Sequence, residues 1–407
     1  MVKEKLLNHL TKNIEGGSMA SYKDIIEKRK KDWNCETLLD ADSVGGEKIS
    51  FSSPLMNYAT YGGIPKYAIT EFFGEPGAGK STTAIDICKN AIEMFKVDYT
   101  NKLCKIQEKI DAGNKSAKSE LEDLEDNGPQ RVLYLDLEHS FDRAWSDTLG
   151  INREEIDIMQ PPNISAEEIL QMVKEIVETS EVGLIVLDSI PSLVPQTKLD
   201  KKVGERTVAP LAGLMSDFIP RIVPMLHRYH VTLLMINQIR DNLNNPYVVA
   251  TPGGEAIKFY SSLRILFKIG KPVDFLGNEL NMGAENPDGY IVGAKIVKQK
   301  TAPFDRKNAS YYLMCKSGIR VDMDYAQLAI NKYGIIKKTG GWYSMCDPIT
   351  GEVLEDEEGK LVKVNGMLKV YEYLESNPKY FDKLKAFIVA DIDGNGIEEE
   401  SISEDML

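Results

Sequence analysis

Apolar residues keep two rhythms along the chain. Near-continuous apolar runs occur at Tyr67-Ala68-Ile69-Thr70-Glu71-Phe72-Phe73, Arg131-Val132-Leu133-Tyr134-Leu135-Asp136, Val182-Gly183-Leu184-Ile185-Val186-Leu187-Asp188 and Val231-Thr232-Leu233-Leu234-Met235-Ile236-Asn237. Runs without polar alternation predict strands covered on both faces, as in a parallel sheet. After the first run, Ala84, Ile87, Cys88, Ala91, Ile92 and Phe95 recur at helical spacing between Ser81 and Phe95. A second amphipathic helix spans 165–178, with Ser165 capping it and Glu168 completing a capping box. Strand–helix–strand alternation predicts a doubly wound α/β core, a mostly parallel twisted sheet flanked by helices. Ligands of such a core gather at the carboxyl edge of the strands. Residues 263–270 and 290–298 read as further strands, antiparallel at one edge.

Elsewhere the pattern weakens, and these places set the expected domains. Residues 1–46 form an N-terminal arm, in which Ile25 to Trp33 reads as a short helix with too little apolar surface to fold alone. Such an arm docks on its own core or on a neighbour. The core runs 47–326. A highly charged stretch at 98–130 interrupts it, with Leu103, Ile106, Ile110, Leu121 and Leu124 as sparse apolar points. It predicts a surface helical insertion, with Gly113-Asn114 as the candidate hairpin turn. Residues 327–390 shift to short helices and a hairpin at Gly340-Gly341-Trp342-Tyr343-Ser344, a small C-terminal α/β domain. Residues 391–407 hold seven acids and no Lys or Arg, an acidic tail. Asp391-Ile392-Asp393-Gly394-Asn395-Gly396 opens like a calcium loop, but Ile402 stands where a bidentate Glu is required.

The decisive chemistry follows the first apolar run. Gly74-Glu75-Pro76-Gly77-Ala78-Gly79-Lys80-Ser81 is G-x-x-x-x-G-K-[ST] between a strand and a helix. Glycines there let backbone N–H groups close around phosphate oxygens, and the helix N-terminus adds partial positive charge. Lys80 is placed to reach β- and γ-phosphates and the Ser81 hydroxyl to ligate Mg2+, with Thr82 completing the nucleotide-binding stretch. Asp188 closes an apolar strand, where an aspartate holds Mg2+ through water or orders Ser81. Glu138 is the first Glu after the strand ending at Asp136. Phosphoryl transfer to water needs such a carboxylate to orient and polarise the attacking water. Gln238 ends the next strand. An amide there senses a γ-phosphate by hydrogen bonding and passes its presence to the polar, Asn-rich loop from Ile239 to Pro252.

Composition adjusts this picture only slightly. The 407 residues are 43% hydrophobic and 27% charged, the balance of a globular protein. The five cysteines are scattered, with no C-x-x-C pair, so no zinc or disulfide framework is indicated and a reducing cytosol fits best. No apolar run reaches ~18 residues, so no membrane span is expected. Met1-Val2-Lys3-Glu4-Lys5 lacks the apolar core of a signal peptide. The net charge of −13 argues against nucleic acid at face value, but more than half of it sits in the tail.

In chain order, the phosphate loop, Asp136-Leu137-Glu138-His139, Leu187-Asp188-Ser189, Asn237-Gln238-Ile239-Arg240 and Thr251-Pro252-Gly253-Gly254-Glu255-Ala256-Ile257-Lys258-Phe259-Tyr260-Ser261-Ser262-Leu263-Arg264 resemble a RecA-type recombinase. Val297-Lys298-Gln299-Lys300-Thr301-Ala302-Pro303-Phe304 and Gly341-Trp342-Tyr343-Ser344 extend the resemblance, which covers 47–97 and 131–390. Many NTPases share the phosphate loop. The Asn-Gln-Ile-Arg and Gly-Gly-x-Ala-x-Lys-Phe-Tyr segments are specific. Chain size, acidic tail and Ser53-Pro54-Leu55-Met56-Asn57-Tyr58-Ala59 resemble the UvsX-like bacteriophage branch.

The resemblance implies a RecA-like P-loop NTPase core that uses ATP and Mg2+. It implies Glu138 as catalytic base, Gln238 as γ-phosphate switch, Trp145 stacked on adenine and Asp142 near its amino group. Lys298 and Lys300 match a pair that reaches across to the neighbour's γ-phosphate. DNA would lie on two loops. One runs from Leu199 to Ala209 with Lys201, Lys202 and Arg206; the other runs from Ile239 to Pro252 with Arg240, Leu243, Tyr247 and Val248, followed by Gly253 and Gly254. Cations there meet phosphates, and Leu243, Tyr247 or Val248 wedge between bases. The second loop is slightly short, and the helix Leu211 to Arg221 has Gly213 and Pro220 where the family has basic residues, which leaves individual contacts open. The resemblance thus implies a helical homo-oligomer on single-stranded DNA that takes up homologous double-stranded DNA and exchanges strands. Its setting would be a bacterial cytosol, that of a phage-infected host on the UvsX-like reading, with single-strand-binding and loader proteins as candidate partners and no membrane. The rivals are a ring helicase or motor ATPase and a non-enzymatic accessory. Lys298-x-Lys300 argues against the first, and intact Lys80, Glu138 and Asp188 against the second.

Overall fold

The apolar runs become the middle of a nine-stranded sheet in the computed structural model of the chain. The structure describes residues 22–33, 46–202, 210–240 and 250–392. The chain divides into two units, residues 1–46 and 47–407. The first holds helix α1 (Tyr22–Trp33). The second begins with β1 (Lys48–Ile49), α2 (Pro54–Thr60), β2 (Ile64–Pro65), β3 (Ile69–Gly74), α3 (Lys80–Asp111) and α4 (Ala117–Asn127). Next come β4 (Arg131–Asp136), α5 (Arg143–Thr148), β5 (Ile156–Met159), α6 (Ala166–Thr179) and β6 (Val182–Asp188). They are followed by α7 (Gln196–Leu199), α8 (Pro210–Arg228), β7 (Thr232–Gln238), α9 (Glu255–Tyr260), β8 (Leu263–Val273), β9 (Gly289–Gln299), β10 (Asn308–Met314) and β11 (Gly318–Ile319). The last elements are α10 (Val321–Asn331), β12 (Ile336–Thr339), β13 (Trp342–Met345), β14 (Lys363–Asn365), α11 (Met367–Ser376) and α12 (Pro378–Ile392).

The strand order is β11-β10-β9-β8-β3-β7-β6-β4-β5. From β8 to β5 all pairs are parallel. From β8 outward the pairs β8–β9, β9–β10 and β10–β11 are antiparallel. The two stretches expected as an antiparallel edge, 263–270 and 290–298, do pair antiparallel as β8 and β9. On its other side β8 runs parallel to β3, because α9 carries the chain back to the amino edge first. Parallel pairing demands such a crossover, whereas an antiparallel neighbour needs only a loop.

Both faces of the parallel strands are covered, which is why their sequences do not alternate. On one face Phe72, Val132, Tyr134, Leu184, Val186, Leu234 and Ile236 pack with Ala84, Ile87, Cys88 and Phe95 of α3. On the other, Leu133, Leu135, Ile185, Leu187, Leu233 and Met235 pack against α6 and α8. Each such aliphatic chain contributes about 1.5–3 kcal/mol of burial. Ser165 caps α6 in a full capping box with Glu168.

Helix α3 does not end near Phe95 but runs on to Asp111. Residues 96–111 hold no Gly or Pro to break a helix, and the Lys, Leu, Gln and Glu among them favour one. Helix α4 folds back on it, with Leu103, Ile106, Ile110, Leu121 and Leu124 half-buried between them and Lys109 paired to Glu120 at 3.0 Å. A third cluster joins α10, α11 and α12 to the β12-β13-β14 sheet through Met323, Leu328, Ile336, Tyr343, Val370 and Leu384. Helix α10 starts at Val321, ahead of the expected boundary at 327, and Leu55 and Tyr58 of α2 pack on this cluster. Among the described residues no helix is long and apolar enough to cross a membrane. Asp391 is the penultimate residue of α12; the rest of the acidic tail, from 393, lies outside the described residues, as do residues 1–21 of the arm.

Candidate active site

The tip of β3 sits between β7 and β8, at the carboxyl edge of the parallel strands. Gly74 lies against β8 so closely that a Cβ there would meet the Phe267 carbonyl oxygen at 2.3 Å. Gly77 and Gly79 take φ of 74° and 84°, the left-handed region that glycine enters at no steric cost. Nothing lies within 4 Å of a Cβ built on Gly77, so the loop from Glu75 to Gly79 is an open cradle. Lys80 is 7% exposed, and its Nζ donates to the carbonyls of Gly74 at 3.1 Å and Glu75 at 2.6 Å. Burial pushes its pKa down, while Asp188, Glu138 and Glu75 pull it back up. A partly desolvated ammonium beside a helix N-terminus favours an anion.

Beside it, the Ser81 side chain hydrogen-bonds Asp188, and Tyr134 Oη donates to Asp188 Oδ2 at 2.6 Å. Burial raises the pKa of Asp188, and these two hydrogen bonds oppose the rise. A hydroxyl and a carboxylate side by side are hard oxygen donors of the kind Mg2+ takes. Mg2+ keeps several waters and needs few protein ligands. Ser81 and Asp188 therefore fit Mg2+ bound along with a phosphate chain.

Glu138 is exposed just beyond β4. Its Oε1 accepts from Gln238 Nε2 at 2.9 Å and from the Ser189 hydroxyl. Three neighbouring strand tips, β4, β6 and β7, thus meet at one carboxylate oxygen. Asp136 shapes the turn that presents Glu138. Its carboxylate accepts from Ser140 N at 3.1 Å, Phe141 N at 2.8 Å and Gln160 Nε2 at 2.7 Å.

Lys298 and Lys300 lie elsewhere. Lys298 Nζ donates to the carbonyls of Lys258 at 2.5 Å and Phe259 at 2.7 Å, and Lys300 Nζ to that of Phe259 at 3.0 Å. Both ammoniums thus cap the C-terminal end of α9, where carbonyls lack helical partners. Lys298 faces Arg264 on β8, which pairs with Glu71, whereas the phosphate loop leaves β3 at Gly74 opposite Phe267. Three residues along a strand are about 10 Å, so the pair sits at the opposite edge of the sheet from its own phosphate loop.

Residues 121–320 match the RecA N-terminal domain. The chain is 30% identical over 386 residues to Protein RecA of Aquifex aeolicus (strain VF5), spanning 93% of this chain and 94% of that protein. The chain belongs to the RecA family. It is also 31% identical over 325 residues to Protein RecA of Chlorobaculum tepidum, covering 79% of this chain and 80% of that one. Protein RecA of Thermus aquaticus is 28% identical over 331 residues, covering 81% and 80%.

In this RecA-family chain the remaining expected residues divide by what holds them. Trp145 Nε1 donates to Thr82 Oγ1 at 3.2 Å, fastening the indole to the first turn of α3. Asp142 is the N-cap of α5 and accepts from Trp145 N at 3.0 Å, so it sets the start of the helix that carries Trp145. Gly253 (φ 89°) and Gly254 (φ 80°) form a tight turn into α9, where a Cβ would meet Ile257 Cδ1 at 2.5 Å and Ala212 Cβ at 3.0 Å respectively. The positive φ and the close packing both favour glycine at these two positions. Arg240 N bonds the Ala250 carbonyl at 2.9 Å, pinning the base of the second loop. Lys201 and Lys202 are exposed after α7. Arg206, Leu243, Tyr247 and Val248 lie outside the described residues.

Sequence reasoning missed a buried polar line beneath Gln238. Asn237 Nδ2 donates to Glu71 Oε1 at 2.9 Å and to the Pro252 carbonyl at 3.0 Å, and its Oδ1 accepts from Gln238 N at 3.0 Å. Glu71 Oε2 accepts from Arg264 Nε at 2.5 Å. Glu71 is fully buried, and Arg264 lies over the Phe73 ring at 4.6 Å. A charge inside an apolar run, as at Glu71, was the available signal, since buried charges are paired.

Proposed function

We propose that this chain polymerises on single-stranded DNA as a helical filament and, using ATP, pairs that strand with a homologous duplex and exchanges strands. Family membership makes it a DNA recombinase with DNA-dependent ATPase activity. The filament and the residue roles are the further step.

One observation carries the reading: Glu138, Ser189 and Gln238 converge on one side of the cradle that holds Lys80 and Ser81. In the proposed mechanism the loop N–H groups and Lys80 bind the phosphates of ATP. Ser81 and Asp188 would hold Mg2+, which supplies neutralising charge at the phosphates when bound. Trp145, fastened to Thr82, offers its ring to the adenine, with Asp142 at the exocyclic amine. Glu138 orients the attacking water and takes its proton. Gln238 donates its amide to the γ-phosphate, and the shift of β7 is felt at Arg240 and Pro252, the two ends of the second loop. Lys201, Lys202, Arg206 and Arg240 meet DNA phosphates, and Leu243, Tyr247 or Val248 enters the base stack.

Lys298 and Lys300 serve the neighbour's ATP, since their own loop is at the far edge of the sheet. The arm 1–46 links subunits, residues 327–390 form a small second domain, and the acidic tail competes with DNA. The tail and the Ser53–Ala59 lead-in support the UvsX-like bacteriophage branch. A bacterial cytosol, with single-strand-binding and loader proteins as partners, fits that reading.

Electron microscopy of the protein with ATP and single-stranded DNA tests it. Helical filaments are expected. Closed rings would favour a helicase, and unassembled monomers would overturn the polymer.

A further inference from the structure

We infer that Tyr311, on the antiparallel side of the sheet, positions the phosphate loop for ATP through Thr83. The inference rests on reading Gly74–Ser81 as the ATP site. Tyr311 belongs to β10, opposite Val292 of β9, and is 1% exposed. Its Oη is 2.6 Å from Thr83 Oγ1. Thr83 Oγ1 donates to the Gly79 carbonyl oxygen at 2.7 Å. A hydroxyl carries one proton and a carbonyl only accepts. The proton of Thr83 therefore points to Gly79, and Tyr311 must donate to Thr83. The result is a directed chain from the Tyr311 O–H to the Thr83 O–H to the Gly79 carbonyl.

Gly79 is the hinge between loop and helix. It is the N-cap of α3 with φ 84°, and its carbonyl also accepts from Thr83 N at 2.9 Å. That oxygen is held by backbone and side chain together. The peptide unit is planar, so pinning the Gly79 oxygen along the helix turns the Lys80 N–H the other way, toward the cradle. A Cβ on Gly79 would meet Val292 Cγ2 at 3.3 Å and Tyr311 Oη at 3.5 Å, so β9 and β10 form the floor of the loop. Phenylalanine would fill the same core space. The hydroxyl is what reaches Thr83.

The test uses the full chain, with ATP affinity from calorimetry and steady-state ATPase on single-stranded DNA. Tyr311→Phe and Thr83→Val should each raise Kd and KM for ATP about two- to tenfold, the net worth of one hydrogen bond, with kcat at saturating ATP kept. Thr83→Ser retains the hydroxyl and should stay near wild type. The double variant should be no worse than Thr83→Val, because both cut one chain. Unchanged Kd and KM in Tyr311→Phe, with only a lowered Tm, would reduce Tyr311 to a core residue and overturn the inference. So would fully additive losses. Lys80→Ala runs alongside: if it binds ATP like wild type, the site reading itself fails. If it loses ATP while Tyr311→Phe does not, only this inference fails.

Discussion

Gln238 Nε2 donates to Glu138 Oε1 at 2.9 Å, tying the tips of β7 and β4 across β6, which lies between them. The contact orients Glu138 and also occupies the oxygen a water would use. On the proposed mechanism a bound γ-phosphate, a charged acceptor like the Glu138 carboxylate, competes for the same amide and in taking it would release Glu138 from Gln238. Sensing and activation would then be two outcomes of one exchange.

Glu138→Gln should leave ATP and DNA binding intact and cut hydrolysis at least about a hundredfold, the scale of a lost general base. Filaments on single-stranded DNA should become long-lived. Phosphate release and filament lifetime measure both. Rapid ATP-driven disassembly by this variant would remove the role given to Glu138.

Gln238→Ala separates the two outcomes. It releases Glu138 but deletes the sensor. ATP affinity should fall by no more than the worth of one hydrogen bond, about two- to tenfold, since Lys80 and the loop are untouched. DNA affinity should no longer rise with a non-hydrolysable ATP analogue, and hydrolysis should lose its DNA stimulation. Filter binding with and without the analogue decides; an undiminished response would exclude Gln238 as the switch.

The sheet centre and the phosphate loop were legible because local pattern and global role coincide there. Val182 to Asp188 must be apolar throughout, being covered on both faces, and Gly74 to Ser81 must carry its glycines where φ is positive. The parallel pairing of β8 with β3 was not legible, because a strand's sequence looks alike whichever way the chain runs. The extension of α3 to Asp111 was hidden by a fading apolar stripe, since its sparse apolar points meet only the short helix α4. Glu71, Asn237 and Arg264 were invisible as a unit because they come from three strands and meet only after folding. The close packing of Gly253 against Ile190 and Met215 likewise depends on neighbours far along the chain, whereas the cap at Asp142 is local, three residues from Trp145.

Asp324 is a buried acid with a measurable consequence. It is fully buried on α10, its Oδ2 accepts from Ser53 Oγ at 2.5 Å, and among the described residues its Oδ1 has no hydrogen-bond partner. Burial raises its pKa well above the usual carboxylate range, against the Ser53 bond. A raised carboxyl pKa means that its stability contribution is fully present below the unfolded value and is lost as pH rises through the folded value. Asp324→Asn is free of that loss. Its stability relative to wild type should therefore grow from pH 5 to pH 7, by up to about 1.4 kcal/mol per pH unit. Denaturant midpoints at both pH values test this. A difference that does not change with pH would refute the buried neutral acid.

The tail should act as a competitor for DNA. Asp391 accepts from Tyr333 Oη at 2.7 Å, so a truncation belongs after Ile392, within which limit the C-terminal cluster is kept whole. Removing 393–407 should tighten duplex binding most, with an effect that shrinks as salt rises, because screening weakens both partners of the competition. Equal duplex affinities across a salt series would dispose of autoinhibition.

The lysine pair tests the polymer itself. Burial, with Lys300 and Arg264 nearby, pushes the pKa of Lys298 down to about 8. A lowered lysine pKa means that the amine of a lone subunit loses its charge above that pH. Meeting a neighbour's γ-phosphate then requires a proton to be taken up. ATP-dependent assembly should weaken as pH rises from 7 to 9, by at most about tenfold per pH unit above 8. Lys298→Arg should flatten the profile, because a guanidinium stays charged. The geometry of the pair is tested by mixing. Lys298→Ala with Lys300→Ala keeps its phosphate loop, and Lys80→Ala keeps its lysines. Each alone should lack DNA-stimulated hydrolysis. Together, an intact loop of the first can face intact lysines of the second, and some activity should return. If the two proteins co-assemble on DNA and none returns, the lysines do not act across the interface. The placement of the pair at the opposite edge of the sheet from its own loop would then need another explanation.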